Sequence, residues 1–239
     1  MKKFSRQLVD IRIKYLLIPG VSISSQSSIT FQDEIRKAGL EFSRFNLLKN
    51  AIIVNRDEPS PLQIEVAMGQ PSQPPFCQLA IISERPNTGV EGFYRDAEAA
   101  VIAYQATWSS PAWQIIKCDA GMRELHETES EHAFKELWEN RLGQSAKSLS
   151  IFGKLVRGGG LRFVLDPLPT EKDPVIIDIK IESYLQDVKK IFVETMFSWV
   201  KPNPPSPIIN VTDRIISMNK YVEECITGFI VGGTNANDQ

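Results

Sequence analysis

The chain has 239 residues, enough for one large domain or for two of about 100–130 residues each. Hydrophobic residues make up 42% and charged ones 23%, so a buried core is available and disorder is excluded as the default state. A net charge of −2 supplies no global field for nucleic acid or an anionic membrane, and no apolar run reaches the roughly eighteen residues of a membrane span.

The N-terminal residues Met1-Lys2-Lys3-Phe4-Ser5-Arg6 lack the apolar stretch of a signal peptide. Cys77, Cys118 and Cys225 are odd in number, widely spaced and set among apolar residues. They are expected to be reduced, mostly buried thiols of a cytoplasmic protein, not a disulfide frame.

Leu8, Ile11, Ile13 and Tyr15 interleave with Arg12 and Lys14, which predicts a half-buried strand over residues 7–18. The serine-rich stretch 21–30 reads as a loop or short edge strand. Phe31, Ile35 and Ala38 fall at helical spacing, and Gly39 is the favoured stop for that helix. Strands follow over 51–55, 62–68 and 76–84, separated by the breakers 57–61 and 69–75, so an antiparallel meander is expected. Phe93, Ala97, Ala100, Val101, Tyr104 and Trp108 then make one helical stripe, which Pro111 ends.

Past the central Trp108–Trp113 stretch the order begins again. Residues 113–125 read as a strand. A helix capped by Thr128 or Ser130 carries Phe134, Leu137, Trp138 and Leu142. Strands are expected at 149–156, 161–165 and 175–181, the first two joined by a hairpin loop at Arg157-Gly158-Gly159-Gly160. Val188, Ile191, Phe192, Thr195 and Trp199 fit a closing helix. The proline-rich link 201–207 leads to one more helix with Ile215, Met218, Val222, Cys225, Ile226 and Phe229 on its buried stripe.

The expected architecture is therefore α+β: a tandem duplication of a β-α-β-β-β-α unit, with mainly antiparallel sheets covered by helices, plus an extra C-terminal helix. The units span 1–108 and 109–200, the link and helix 201–230, and a flexible tail 231–239. The short central link favours one merged body with its helices on one sheet face.

Candidate chemistry is sparse. His126 and His132 flank three glutamates, but six residues separate them, whereas helical metal ligands stand three or four apart. The run reads as an acidic helix start, and no metal or cofactor is expected. Arg157–Arg162 resembles a phosphate cradle but lies between strands and lacks the Lys-Ser/Thr of a phosphate loop. Asp178, Lys180 and Glu182 share one strand face, as on a solvated sheet. The expected function is a non-enzymatic interaction module, working through an exposed sheet face, a sheet edge or the C-terminal helix. Its partner would be another protein or a second copy, with no nucleic acid and no membrane. The alternative is a small-molecule binder or enzyme whose pocket lies between the units, with Tyr104, Trp113, Arg157 and Arg162 as ligand-binding candidates.

Overall fold

A computed structural model describes residues 6–69 and 75–231. In chain order it has β1 (Arg6–Ile18), α1 (Ser25–Lys37), β2 (Arg44–Leu47), β3 (Ala51–Arg56), β4 (Leu62–Met68), β5 (Cys77–Glu84) and α2 (Gly89–Thr107). Then follow β6 (Gln114–Glu127), α3 (Ala133–Lys135) running into a π-turn (Glu136–Arg141), and a 3-10 segment (Ala146–Phe152). The remainder is β7 (Gly160–Leu165), β8 (Val175–Ser183), β9 (Lys190–Trp199) and α4 (Thr212–Tyr221), which continues through a π-turn (Val222–Ile226) into α5 (Thr227–Val231).

The nine strands form one antiparallel sheet in the order β2-β3-β4-β5-β1-β6-β9-β8-β7. Its centre is the long β1–β6 pair, with Ile13 opposite Ala120 and irregularities at Val9 and Ile116. Side-chain alternation explains why one face is dry. Ile11, Ile13, Tyr15 and Leu17 on β1, Leu62, Ile64 and Val66 on β4, and Ile177, Ile179 and Ile181 on β8 are buried. They join Phe31 and Ile35 of α1, Phe93, Ala97 and Tyr104 of α2, and Ile215 and Met218 of α4 in one continuous core. The opposite face presents residues such as Arg12, Lys14, Lys180 and Glu194 to solvent. α1 packs on α2, and the alanines of α2 allow the close approach.

A mixed α+β fold with antiparallel pairing is what the periodicities predicted, and the first meander and α2 match them closely. Several elements differ. Residues 190–199 form a strand, not a helix. Ile191, Val193, Thr195, Phe197 and Trp199 fit period two as well as the segment fits period 3.6, and β6 offered an open edge for them. Residues 149–156 form no strand. Without a partner the backbone bonds to itself, Ser148 N–H donating to Ser145 O (3.1 Å) and Gly153 N–H to Ser150 O (2.9 Å). Arg157–Gly160 is accordingly no hairpin loop but the approach to β7. α1 begins at Ser25 inside the supposed loop, because Ser24 and Ser27 cap it reciprocally. α3 is capped by His132, not by Thr128 or Ser130. The C-terminal helix is consequently the only long helix after β9 among the described residues. Its stripe departs in two places: Cys225 is exposed and Phe229 partly so. The proline-rich link does not lead the helix away. Asn203 N–H donates to Ile115 O (2.8 Å), and Ser206 bridges Trp113. The tail assigned to 231–239 lies outside the described residues except for Val231, as do residues 1–5 and most of the breaker at 69–75.

Candidate functional site at the sheet edge

The four residues singled out from the sequence do not converge. Tyr104 and Trp113 are both buried, with ring centroids 5.1 Å apart in an aromatic run that continues through Trp108 to Phe31. Tyr104 Oη lies 2.7 Å from Cys77 Sγ, and burial drives the pKa of both groups up, Cys77 to about 11. Arg157 and Arg162 stand by β7, at one edge of the sheet. Arg162 forks onto Asp178 of β8 (3.0 and 2.6 Å), and this bond, then the charge behind it, holds Asp178 below the usual carboxylate range.

The two histidines have separate tasks. His132 Nδ1 accepts the Phe134 N–H (3.1 Å) at the start of α3. His126 is fully buried on β6, its Nε2 3.3 Å from Glu124 Oε2, while its Nδ1 has no hydrogen-bond partner among the described residues. Arg6 bonds the other oxygen of Glu124 and reaches across to Glu223 (2.7 Å) and Asn219 (3.0 Å). That cluster ties β1 and β6 to the C-terminal helix. Among the described residues no group of three or more His, Cys, Asp or Glu is arranged as a metal site, and no helix is long and apolar enough to cross a membrane.

Several strongly exposed apolar side chains lie in the segment that leads into β7 and on β7 itself, where Arg157 and Arg162 stand. Ile151 is 84% exposed, Phe152 67% and Leu155 90% in the 3-10 segment and the coil after it; on β7 Val164 is 58% exposed. Burying such side chains is worth about 1.5–3 kcal/mol each, so leaving several in water together marks a contact surface. β7 itself is an edge strand, paired among the described residues only with β8. Ser183 N–H donates to Gly159 O (3.0 Å), which directs the backbone of odd-numbered residues toward β8. By antiparallel alternation, the N–H and C=O groups of Gly160, Arg162 and Val164 then point away from the sheet. Phe163 packs edge-on against Phe229 of α5, so the C-terminal helix braces the strand.

Beside the start of β7 is a cleft of about 310 Å³ floored by Phe134 and Trp138, whose rings stack at 5.9 Å. Leu149, Leu155 and Val156 form its wall, and Lys135 and Lys154 stand at its rim. Gly159 lies so close to Phe134 that a Cβ there would come within 2.9 Å of the ring, which sets cleft and strand side by side. Ile151, Phe152 and Leu155, expected from the sequence to lie on a strand over 149–156, stand exposed instead. A usable signal was present: residues 140–165 contain Arg141, Lys147, Lys154, Arg157 and Arg162 but no Asp or Glu. No family model matches the chain, and no curated protein matches it.

Proposed function

We propose that this protein is a non-catalytic interaction module of the cytoplasm that engages a partner chain through the β7 edge. The observation that carries the reading is the coincidence of free strand backbone with exposed Ile151, Phe152, Leu155 and Val164. An edge strand that is neither charged on both faces nor covered is a template for strand addition. We further propose that the fold arose by duplication. The order β1-β5-β4-β3 on one side of the centre parallels β6-β9-β8-β7 on the other, each ending in a long helix, with β2 peculiar to the first half. The test of function is site-resolved. A photo-crosslinking amino acid replaces Val164 on β7 or Leu47 on β2, the opposite edge. Adducts in cell extract from the Val164 position alone support the reading; equal adducts from both, or none, overturn it.

A small-molecule site between the halves is the second reading. The observation favouring it is a cleft of about 400 Å³ between α2 and residues 208–213, lined by Glu98, Gln105, Ile209 and Asp213. A ligand at about 100 times its dissociation constant adds about 2.7 kcal/mol of stability, so a thermal-shift screen of metabolites and nucleotides tests it.

A further inference from the structure

We propose that the β7 edge takes, as an added strand, an acidic segment of another protein whose apolar anchor seats in the Phe134–Trp138 cleft. This rests on reading the edge as an interaction surface and adds the chemistry of what binds there.

The argument starts from charge. Lys147, Lys154 and Arg157 are exposed and make no ion pair among the described residues. They belong to a stretch without a single carboxylate, in a chain whose net charge is −2, so the basic character is local to this edge. Complementary potential governs which partner approaches and in what register. A second copy is disfavoured on that ground, because pairing β7 with β7 brings two basic segments together. A bilayer is disfavoured on another. The outward N–H and C=O groups of Gly160, Arg162 and Val164 need hydrogen-bond partners, which acyl chains lack and a strand supplies. The cleft completes the fit: its aromatic lining suits an apolar side chain, and around it Lys135 and Lys154 outnumber the single carboxylate, Glu139.

The probe is a fluorescent octapeptide alternating glutamate with valine and carrying one phenylalanine, set against the same peptide with lysine for glutamate. Anisotropy should give the glutamate peptide an affinity at least about tenfold higher at low salt, declining as salt is added. The double variant Lys154→Glu, Arg157→Glu should reverse that preference. Val164→Pro removes one outward N–H without touching the β8 ladder, a placement edge strands tolerate, and should weaken the glutamate peptide at least about tenfold. Circular dichroism of each variant confirms that it is folded. Equal affinity for the two peptides, or an unreversed preference in the double variant, overturns the proposal. So does a protein mass that doubles with concentration and returns to monomer in Val164→Pro, which means a second copy. So does binding to roughly three-to-one phosphatidylcholine–phosphatidylserine vesicles without peptide binding. If crosslinks from Val164 persist while the peptide preference is absent, the acidic chemistry fails and the interaction edge stands; if both are absent, both fail.

Discussion

The pair Arg56–Asp96 shows how much one residue can hold. Arg56 on β3 is 8% exposed, donates to Ser60 O (2.9 Å), and forks onto Asp96 of α2. Asp96→Ala leaves a buried guanidinium unpaired. It should cost about 3–5 kcal/mol in urea unfolding, whereas changing both residues to apolar ones of similar volume should cost far less. The cysteines make a second case. Cys225 is exposed and should react at once with a thiol reagent, while Cys77 and Cys118 should react only after denaturation. Burial pushes both buried thiols from 9.0 up to about 11 and raises Tyr15 and Tyr104 as well. The folded state thus holds these protons more tightly than the unfolded chain. Stability is unaffected below about pH 9 and falls as pH rises from there toward 11, which an alkaline unfolding titration would reveal. A flat profile across that window would contradict the burial of the thiols.

At the level of elements, local chemistry and tertiary demand divide the work. α1 is specified locally. Ser24 Oγ accepts Ser27 N–H (3.1 Å) and Ser27 Oγ accepts Ser24 N–H (2.9 Å), so serines that look like a loop nucleate a helix. Ser24→Ala should lower stability by about 0.5–2 kcal/mol without changing the fold; no measurable change would show that the cap is incidental. β7 depends on its neighbour instead. A Cβ on Gly160 would come within 2.3 Å of Ile181 O, a backbone atom that cannot swing aside. Gly160→Ala should therefore loosen β7 from β8, speeding amide exchange at Leu161, Phe163 and Leu165 before the rest of the sheet opens. Unchanged exchange there would mean that the strand absorbs the extra carbon.

For the whole molecule, the decisive element is the C-terminal helix. Ile215, Met218, Val222, Ile226 and Ile230 are all buried, and Arg6 bonds Glu223 and Asn219 from the far end of β1. The apolar stripe thus docks within its own chain, over α2 and β6. Ending the chain after Lys201 uncovers that part of the core. The truncated protein should aggregate or melt far lower at every concentration, as size-exclusion and thermal melts would record. A truncated chain with unchanged mass and midpoint would show that the stripe contributes nothing.

What the sequence determined by itself was whatever one period could express without competition. Leu62, Ile64 and Val66 alternate cleanly, and Phe93, Ala97, Ala100 and Tyr104 recur at helical spacing, so the first meander and α2 are legible in the sequence alone. The α+β class followed from them. Residues 190–199 satisfied both periods, and only the open edge of β6 decided for a strand. Residues 149–156 are expected from the sequence to form a strand, but no neighbouring edge received them, and 150–155 remained exposed. The candidate site was half legible for the same reason. Arg157 and Arg162 could be picked out by type, yet Tyr104 and Trp113 turned out to be core aromatics. Whether an apolar side chain is core or contact surface depends on what lies opposite it, and that is a property of the assembled sheet.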